Sequence, residues 1–251
     1  MPGPQFPHQT RSRLSEGMSF LVHLTSVVLG FLLLFSWTFG QPLTTGNYLA
    51  ESDLYEYYLP IFLSPLTTWS VYEFGGFPAF ADPGDSTSYP LFLFARWIES
   101  WTVFTIAAFV VAAAGTYAYV FILTRSIGAA LFSGIAFGLS EALMERLPHM
   151  ATLHVFVWLP VIALAIEKLL TSPNHRWTAF GALALGNCIL AGHPQATIMT
   201  VYVSGIYGLA GGFDPLRFIG KSVQPVGVDH GWSREVPYQT LNEFGGFTMP
   251  A

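Results

Sequence analysis

The amino-acid sequence predicts an all-α polytopic membrane protein, with about six transmembrane or half-spanning helices and a long structured first outer loop. Three observations carry that expectation. Hydrophobic residues fill 52% of the 251 positions and charged residues only 10%, against about 25% charged in an ordinary soluble domain. The apolar residues fall in span-length blocks with polar punctuation between them, unlike the interleaved pattern of helices around a soluble core. Lys and Arg collect in alternate connections while Asp and Glu collect in the others, as the positive-inside rule requires.

Taken in order, residues 1–17 read as a cytoplasmic tail carrying Arg11 and Arg13. Residues 18–39 form the first span, and its 22 residues reach about 33 Å at 1.5 Å per residue. This block is longer than a signal-peptide core and lacks an A-x-A-like cleavage site, so a retained helix is expected. His23 inside it reads as a helix-packing hydrogen-bonder. A second span covers 101–123 and ends before Arg125; a shorter return span covers 127–143, stopped by Pro148; a fourth covers 150–166 and contains Pro160.

From 177 to 209 the apolar character resumes, interrupted at Gly192-His193-Pro194-Gln195, which no helix carries through unbroken. One broken span and a hairpin of two short helices both fit. The hairpin is favoured because it returns Arg217 and Lys221 to the side of Lys168 and Arg176. The chain thus divides into the tail 1–17, a transmembrane module 18–210 with its outer loop at 40–99, and a polar tail 211–251. Arg11, Arg13, Arg125, Lys168, Arg176, Arg217 and Lys221 then lie inside, and only Arg96 and Arg146 outside. The outer side holds Glu51, Asp53, Glu56, Glu73, Asp82, Asp85, Glu99, Glu141 and Glu145, which places the N-terminus in the cytoplasm.

The one cysteine, Cys188, supports neither an internal disulfide framework nor a cysteine metal site. A net charge of −5 with scattered basic residues argues against nucleic acid as a partner. Membrane lipids are the partner that composition itself implies.

Chemistry concentrates in the first outer loop. In Glu51-Ser52-Asp53 two acids one residue apart can hold a divalent metal ion together or divide the roles of base and orienter; a solvated acidic loop is an equal alternative. The run 54–69, with Tyr55, Tyr57, Tyr58 and Trp69 among aliphatic residues, reads either as an interfacial helix walling a site or as a passive aromatic belt. Gly75-Gly76-Phe77-Pro78 and the aspartates Asp82 and Asp85 are turn chemistry. His149 and His154, five apart, do not share a helix face. Glu141 and Glu145 do share one, and Arg146 beside them can meet a phosphate, although solvated helix-end charges explain all three. His193 and Gln195 put donors and acceptors near the outer surface. The phrase EFGGF at 73–77 recurs at 243–247, too short a match to establish a repeat.

Three patterns occur together and in order: Ser52-Asp53-Leu54-Tyr55-Glu56-Tyr57-Tyr58-Leu59-Pro60; Phe74-Gly75-Gly76-Phe77-Pro78 with Ala81-Asp82-Pro83 and Tyr89-Pro90; and Ala191-Gly192-His193-Pro194-Gln195. In combination they resemble the N-terminal part of YfhO-type bacterial membrane proteins, of the GT-C class of glycosyltransferases. The resemblance implies transfer of a sugar from a polyprenyl-phosphate donor to a cell-envelope acceptor outside the bacterial cytoplasmic membrane. It places the catalytic acid on Asp53, with Glu51 as helper or metal ligand. Tyr57, Asp82, Arg146, His193 and Gln195 are the binding residues expected around it. Members of that family are several times longer, so a truncated module completed by a larger membrane complex, or a non-catalytic subunit of one, is the alternative expectation.

Overall fold

The computed structural model describes residues 9–40, 53–71, 75–79, 82 and 84–212. Among them the chain is helical, with an isolated bridge between Ser70 and Phe77 in place of any strand. The helices are α1 (Gln9–Phe39), a π-helical turn π1 (Leu54–Tyr58) running into α2 (Leu59–Leu63), α3 (Pro90–Trp97), α4 (Trp101–Thr124), α5 (Ile127–Gly138), α6 (Glu141–Met144), α7 (Met150–Phe156), α8 (Leu159–Thr171), α9 (His175–Leu190) and α10 (Pro194–Gly212). Among the described residues four stretches are long and apolar enough to cross a membrane: Val22–Phe39, Trp101–Thr124, Ile127–Met144 and Met150–Thr171. Glu51, Glu73, Phe74 and the second EFGGF phrase at 243–247 lie outside the described residues, as does the rest of the tail beyond Gly212.

Helix α4 is the central post. Ser100 caps it by accepting from the Val103 N–H at 3.3 Å, and it closes on Arg125 in the left-handed region at φ 56°. One side packs α1 through Phe35, Phe39 and Phe109, with the Phe39 and Phe109 rings stacked at 4.8 Å. Small residues allow α5 to approach: a Cβ on Gly134 would stand 2.8 Å from the Ala113 carbonyl oxygen and 2.8 Å from Phe31. Close backbone approach through glycine suits helices in lipid, where no hydrophobic force drives them together. On α4's other side, Gly115 gives the same clearance to Val161 of α8.

Two expected spans are interrupted. The third stops at Gly138 and restarts as the short α6 after Ser140, and the fourth breaks between Phe156 and Leu159, ahead of Pro160, whose ring nitrogen has no hydrogen to donate. The first helix begins at Gln9, upstream of residue 18, because the polar residues ahead of the apolar run continue the helical turn. The interfacial helix expected over 54–69 is much shorter. It ends at Leu63, with Ser64 donating from both its N–H (2.9 Å) and Oγ (2.7 Å) to the Pro60 carbonyl, and Pro65 follows.

The 177–209 region is two helices that fold back on each other. At the far end of α8, Gly181 of α9 faces Ala165, and Lys168 lies 5.6 Å over the Trp177 ring; there too Gly208 and Gly212 of α10 face Ile166 and Leu170. At the near end Cys188 Sγ meets the Val155 carbonyl at 3.8 Å, and Thr197 Oγ1 donates to the Cys188 carbonyl at 3.4 Å. The turn lies at Ala191 to His193, with Gly192 at φ 104°. Both arms therefore return to the end of the bundle that holds Arg125, Lys168 and Arg176.

Candidate functional site

The opposite end carries Asp53, Arg96, Arg146 and His149. Asp53 precedes π1 in helical conformation, and its Oδ2 stands 3.3 Å from Nε2 of His149, which precedes α7. Both side chains are about half exposed. Since a carboxylate only accepts, the hydrogen in a neutral His149 sits on Nε2 when the two bond. The pair joins the first loop to the fourth span across 96 residues of sequence.

One turn beyond Asp53, the Tyr57 hydroxyl donates to Oδ1 of Asp85 at 2.6 Å. Asp85 is only 8% exposed. Burial, then the Asp85 bond and its charge, hold the Tyr57 phenol well above the usual tyrosine range. Burial raises Tyr58 as well, with smaller contributions from Asp53 and Asp85. Asp82 accepts from the Gly84 N–H at 2.7 Å, the turn-forming role its composition suggested.

The segment after Asp85 is stapled to the α9–α10 turn. Ser86, at φ 55°, donates its hydroxyl to the Ala191 carbonyl at 2.6 Å. Beyond it Tyr89, fully buried, accepts from Trp158 Nε1 at 3.0 Å and lies 3.3 Å from Nδ1 of His154. The His154 ring stacks on Phe104 at 3.8 Å, so a buried knot ties loop, α4 and α7 together. Arg96 fixes the other flank, donating to the carbonyls of Ile61 (2.9 Å), Phe62 (2.5 Å) and Ser64 (2.6 Å).

Next to Asp85 the fold leaves a cleft of about 470 Å³ between 60–70 and the Asp85 to Thr87 turn. Asp53 is not part of its described lining.

The other expected binding residues are spread around this end. His193 is a helix cap: its Nδ1 accepts from the Ala196 N–H at 3.1 Å, leaving the ring hydrogen on Nε2. Gln195 is exposed in the first turn of α10, and Arg146 is partly buried, its carbonyl accepting from the His149 N–H at 2.9 Å. Among the described residues Asp53 pairs with His149, and it is not brought into an ion pair with Arg146. Nor do three His, Cys, Asp or Glu side chains converge there as a metal site. With Glu51 outside the described residues, Asp53 and His149 offer two ligands, short of the six or more that Mg²⁺ or Ca²⁺ takes.

Sequence reasoning missed His149 as the partner of Asp53, and it missed Asp85 as a buried acceptor. No local signal marks either, because both partnerships close over long stretches of chain. No family model, curated protein or solved structure matches this chain.

Proposed function

We propose that this chain is a GT-C-like membrane glycosyltransferase module of the bacterial cytoplasmic membrane, with its N-terminus and Arg125, Lys168 and Arg176 on the cytoplasmic side. In this reading the α9–α10 hairpin completes six spanning or half-spanning helices, and the first loop faces outward. The observation that supports it is the Asp53 and His149 pair at the acidic end of the bundle, 3.3 Å apart and open to solvent. It accords with the expectation, drawn from the motif resemblance, of a catalytic acid in the first outer loop.

In the reaction, the acceptor hydroxyl oxygen attacks the anomeric carbon of a polyprenyl-phosphate sugar. The bond from that carbon to the phosphate oxygen breaks, its electron pair leaving on the lipid phosphate. Asp53 takes the acceptor's proton as general base, and His149 holds the carboxylate in position. Arg146, three residues before His149, is the cation available to the leaving phosphate.

Asp53→Asn keeps size and polarity and removes the base, so transfer should fall by about 100-fold or more while membrane insertion is unchanged. Transfer at the wild-type rate in that variant removes the assignment.

The half-exposed Asp53, standing outside the described cleft, favours one other reading: a non-catalytic subunit of a larger membrane complex. That reading predicts copurification with larger membrane proteins and unchanged association in Asp53→Asn.

A further inference from the structure

We propose that the apolar groove lined by α4, α5, α8 and α10 holds the terminal part of one acyl chain of a phospholipid, drawn from the leaflet at the Arg125 end. The groove is separate from the Asp53 end, and the inference does not rest on the transferase reading. Helix α4 packs on α5 at Gly134 and on α8 at Gly115, while Gly208 of α10 faces Ile166 of α8. The four helices thus stand in a row with α5 and α10 as its outer members. Between them remains a space of about 320 Å³, whose walls include Val120, Phe137, Leu159, Pro160, Ala163 and Val203. Val203 is 53% exposed, which leaves the groove open to the surrounding lipid.

Its depth follows from residue position. Pro160 is midway along the apolar stretch Met150–Thr171, Val203 is midway along α10, and Phe137 is near the middle of Ile127–Met144. From there the lining continues about one turn toward the Arg125 end, through Ala163 and Tyr207, and on α4 through Thr116 to Val120. The groove therefore lies in the hydrocarbon layer, from the bilayer centre into one leaflet, where acyl chains end.

The lining selects a hydrocarbon. Among the described residues no charged side chain lines it, and its hydroxyls are engaged or enclosed. Thr116 donates to the Ala112 carbonyl at 2.8 Å, Tyr119 to the Tyr207 hydroxyl at 2.9 Å, and Tyr207 to Oε2 of Glu167 at 2.8 Å. Ser204 Oγ is closed off from the space. Water finds no partners there: an apolar cavity of roughly 150 Å³ stays dry and takes up benzene, and this one is larger. Left empty, its walls would lose dispersion contacts on one side. A transmembrane helix, about 10–12 Å across with its side chains, is too wide for a space of this volume. The tail of the proposed sugar donor would enter from the opposite leaflet, where Asp53 stands.

The test uses the full chain in phospholipid nanodiscs that contain a phosphatidylethanolamine with a diazirine either at the end of one acyl chain or beside its ester. After irradiation, adducts are mapped by peptide mass spectrometry, and lipid retained by the detergent-purified chain is read by native mass spectrometry. With the terminal diazirine, adducts on 159–163 and 203–207 should exceed several-fold those on Leu33 of α1, which is 72% exposed. The ester-proximal diazirine should not label the groove, and the purified chain should retain one phospholipid. Ala163→Phe fills the groove and should lose both signals. Val203→Trp, at an exposed rim position that packing tolerates, should lower the groove adducts several-fold while those on Leu33 stay unchanged. Groove labelling no stronger than that of Leu33 means a fluid lipid shell only and overturns the proposal. So do preferential labelling by the ester-proximal diazirine, retention of a polyprenyl lipid or of no lipid, and undiminished groove labelling in Val203→Trp. The transfer assay of Asp53→Asn reads the other end of the bundle, so either reading fails without the other.

Discussion

Tyr57 decides how the Asp53 end of the protein responds to alkali. Its phenol is raised from an ordinary value of 10.0, first by burial and then by the bond to Asp85. A raised pKa means that the folded state holds the proton more tightly than the unfolded chain. The resulting stabilisation is complete below about pH 10 and is lost as pH rises above it toward the folded value. Thermal unfolding in detergent should therefore weaken above about pH 10, and Tyr57→Phe should flatten that slope while lowering stability at neutral pH. Ser86 is a second single-residue test. Ser86→Ala leaves the buried Ala191 carbonyl without its donor, an expected loss of about 1–3 kcal/mol read from the melting midpoint. At this scale the sequence was informative for Asp82, whose turn chemistry is local. It was silent on His149 and Asp85, because a partner 28 or more residues away leaves no mark in spacing.

At the scale of elements, α2 is a five-residue helix held by a side chain from elsewhere. Arg96 supplies donors to carbonyls at and beyond its C-terminal end, the groups that a helix leaves unpaired. Arg96→Met should loosen 59–70, seen as faster amide exchange there, and cost about 1.5–3 kcal/mol, the value of one charge-assisted bond. Gly134→Leu would drive a side chain between α5 and α4 at a position with no clearance even for a methyl. Overpacking of this kind costs about 1–3 kcal/mol, measurable as a lowered melting temperature. The long apolar helices were legible from block length alone, and the break at 192–195 from glycine and proline. The interruptions near Gly138 and Phe156 were not drawn from the sequence, although Ser140-Glu141 and Pro160 mark the two places, because each signal is weak inside a long apolar block. The early stop of α2 was underestimated because aromatic content was weighed above Pro65.

For the whole molecule, the separation of charges between two ends makes topology measurable. With Cys188 replaced by alanine, single cysteines at Glu145 and Ser172 should label oppositely with a membrane-impermeant maleimide. In intact cells Glu145→Cys should react and Ser172→Cys should not until the membrane is opened. The reverse pattern would invert the orientation and put Asp53 in the cytoplasm. This orientation is an expectation of the sequence alone, because the sorting of Lys and Arg is a property of the order of residues. The cleft was unreadable there, because it exists only where segments distant in sequence meet.

The bond from Ser86 to the Ala191 carbonyl spans 105 residues, which sets an order of events during synthesis. At about 5–20 residues per second, the ribosome needs roughly 5–20 s after making Ser86 before its acceptor exists. The Ser86 turn therefore waits for the α9–α10 pair to emerge and lock it. Biogenesis factors that shelter unfinished segments have that interval in which to act.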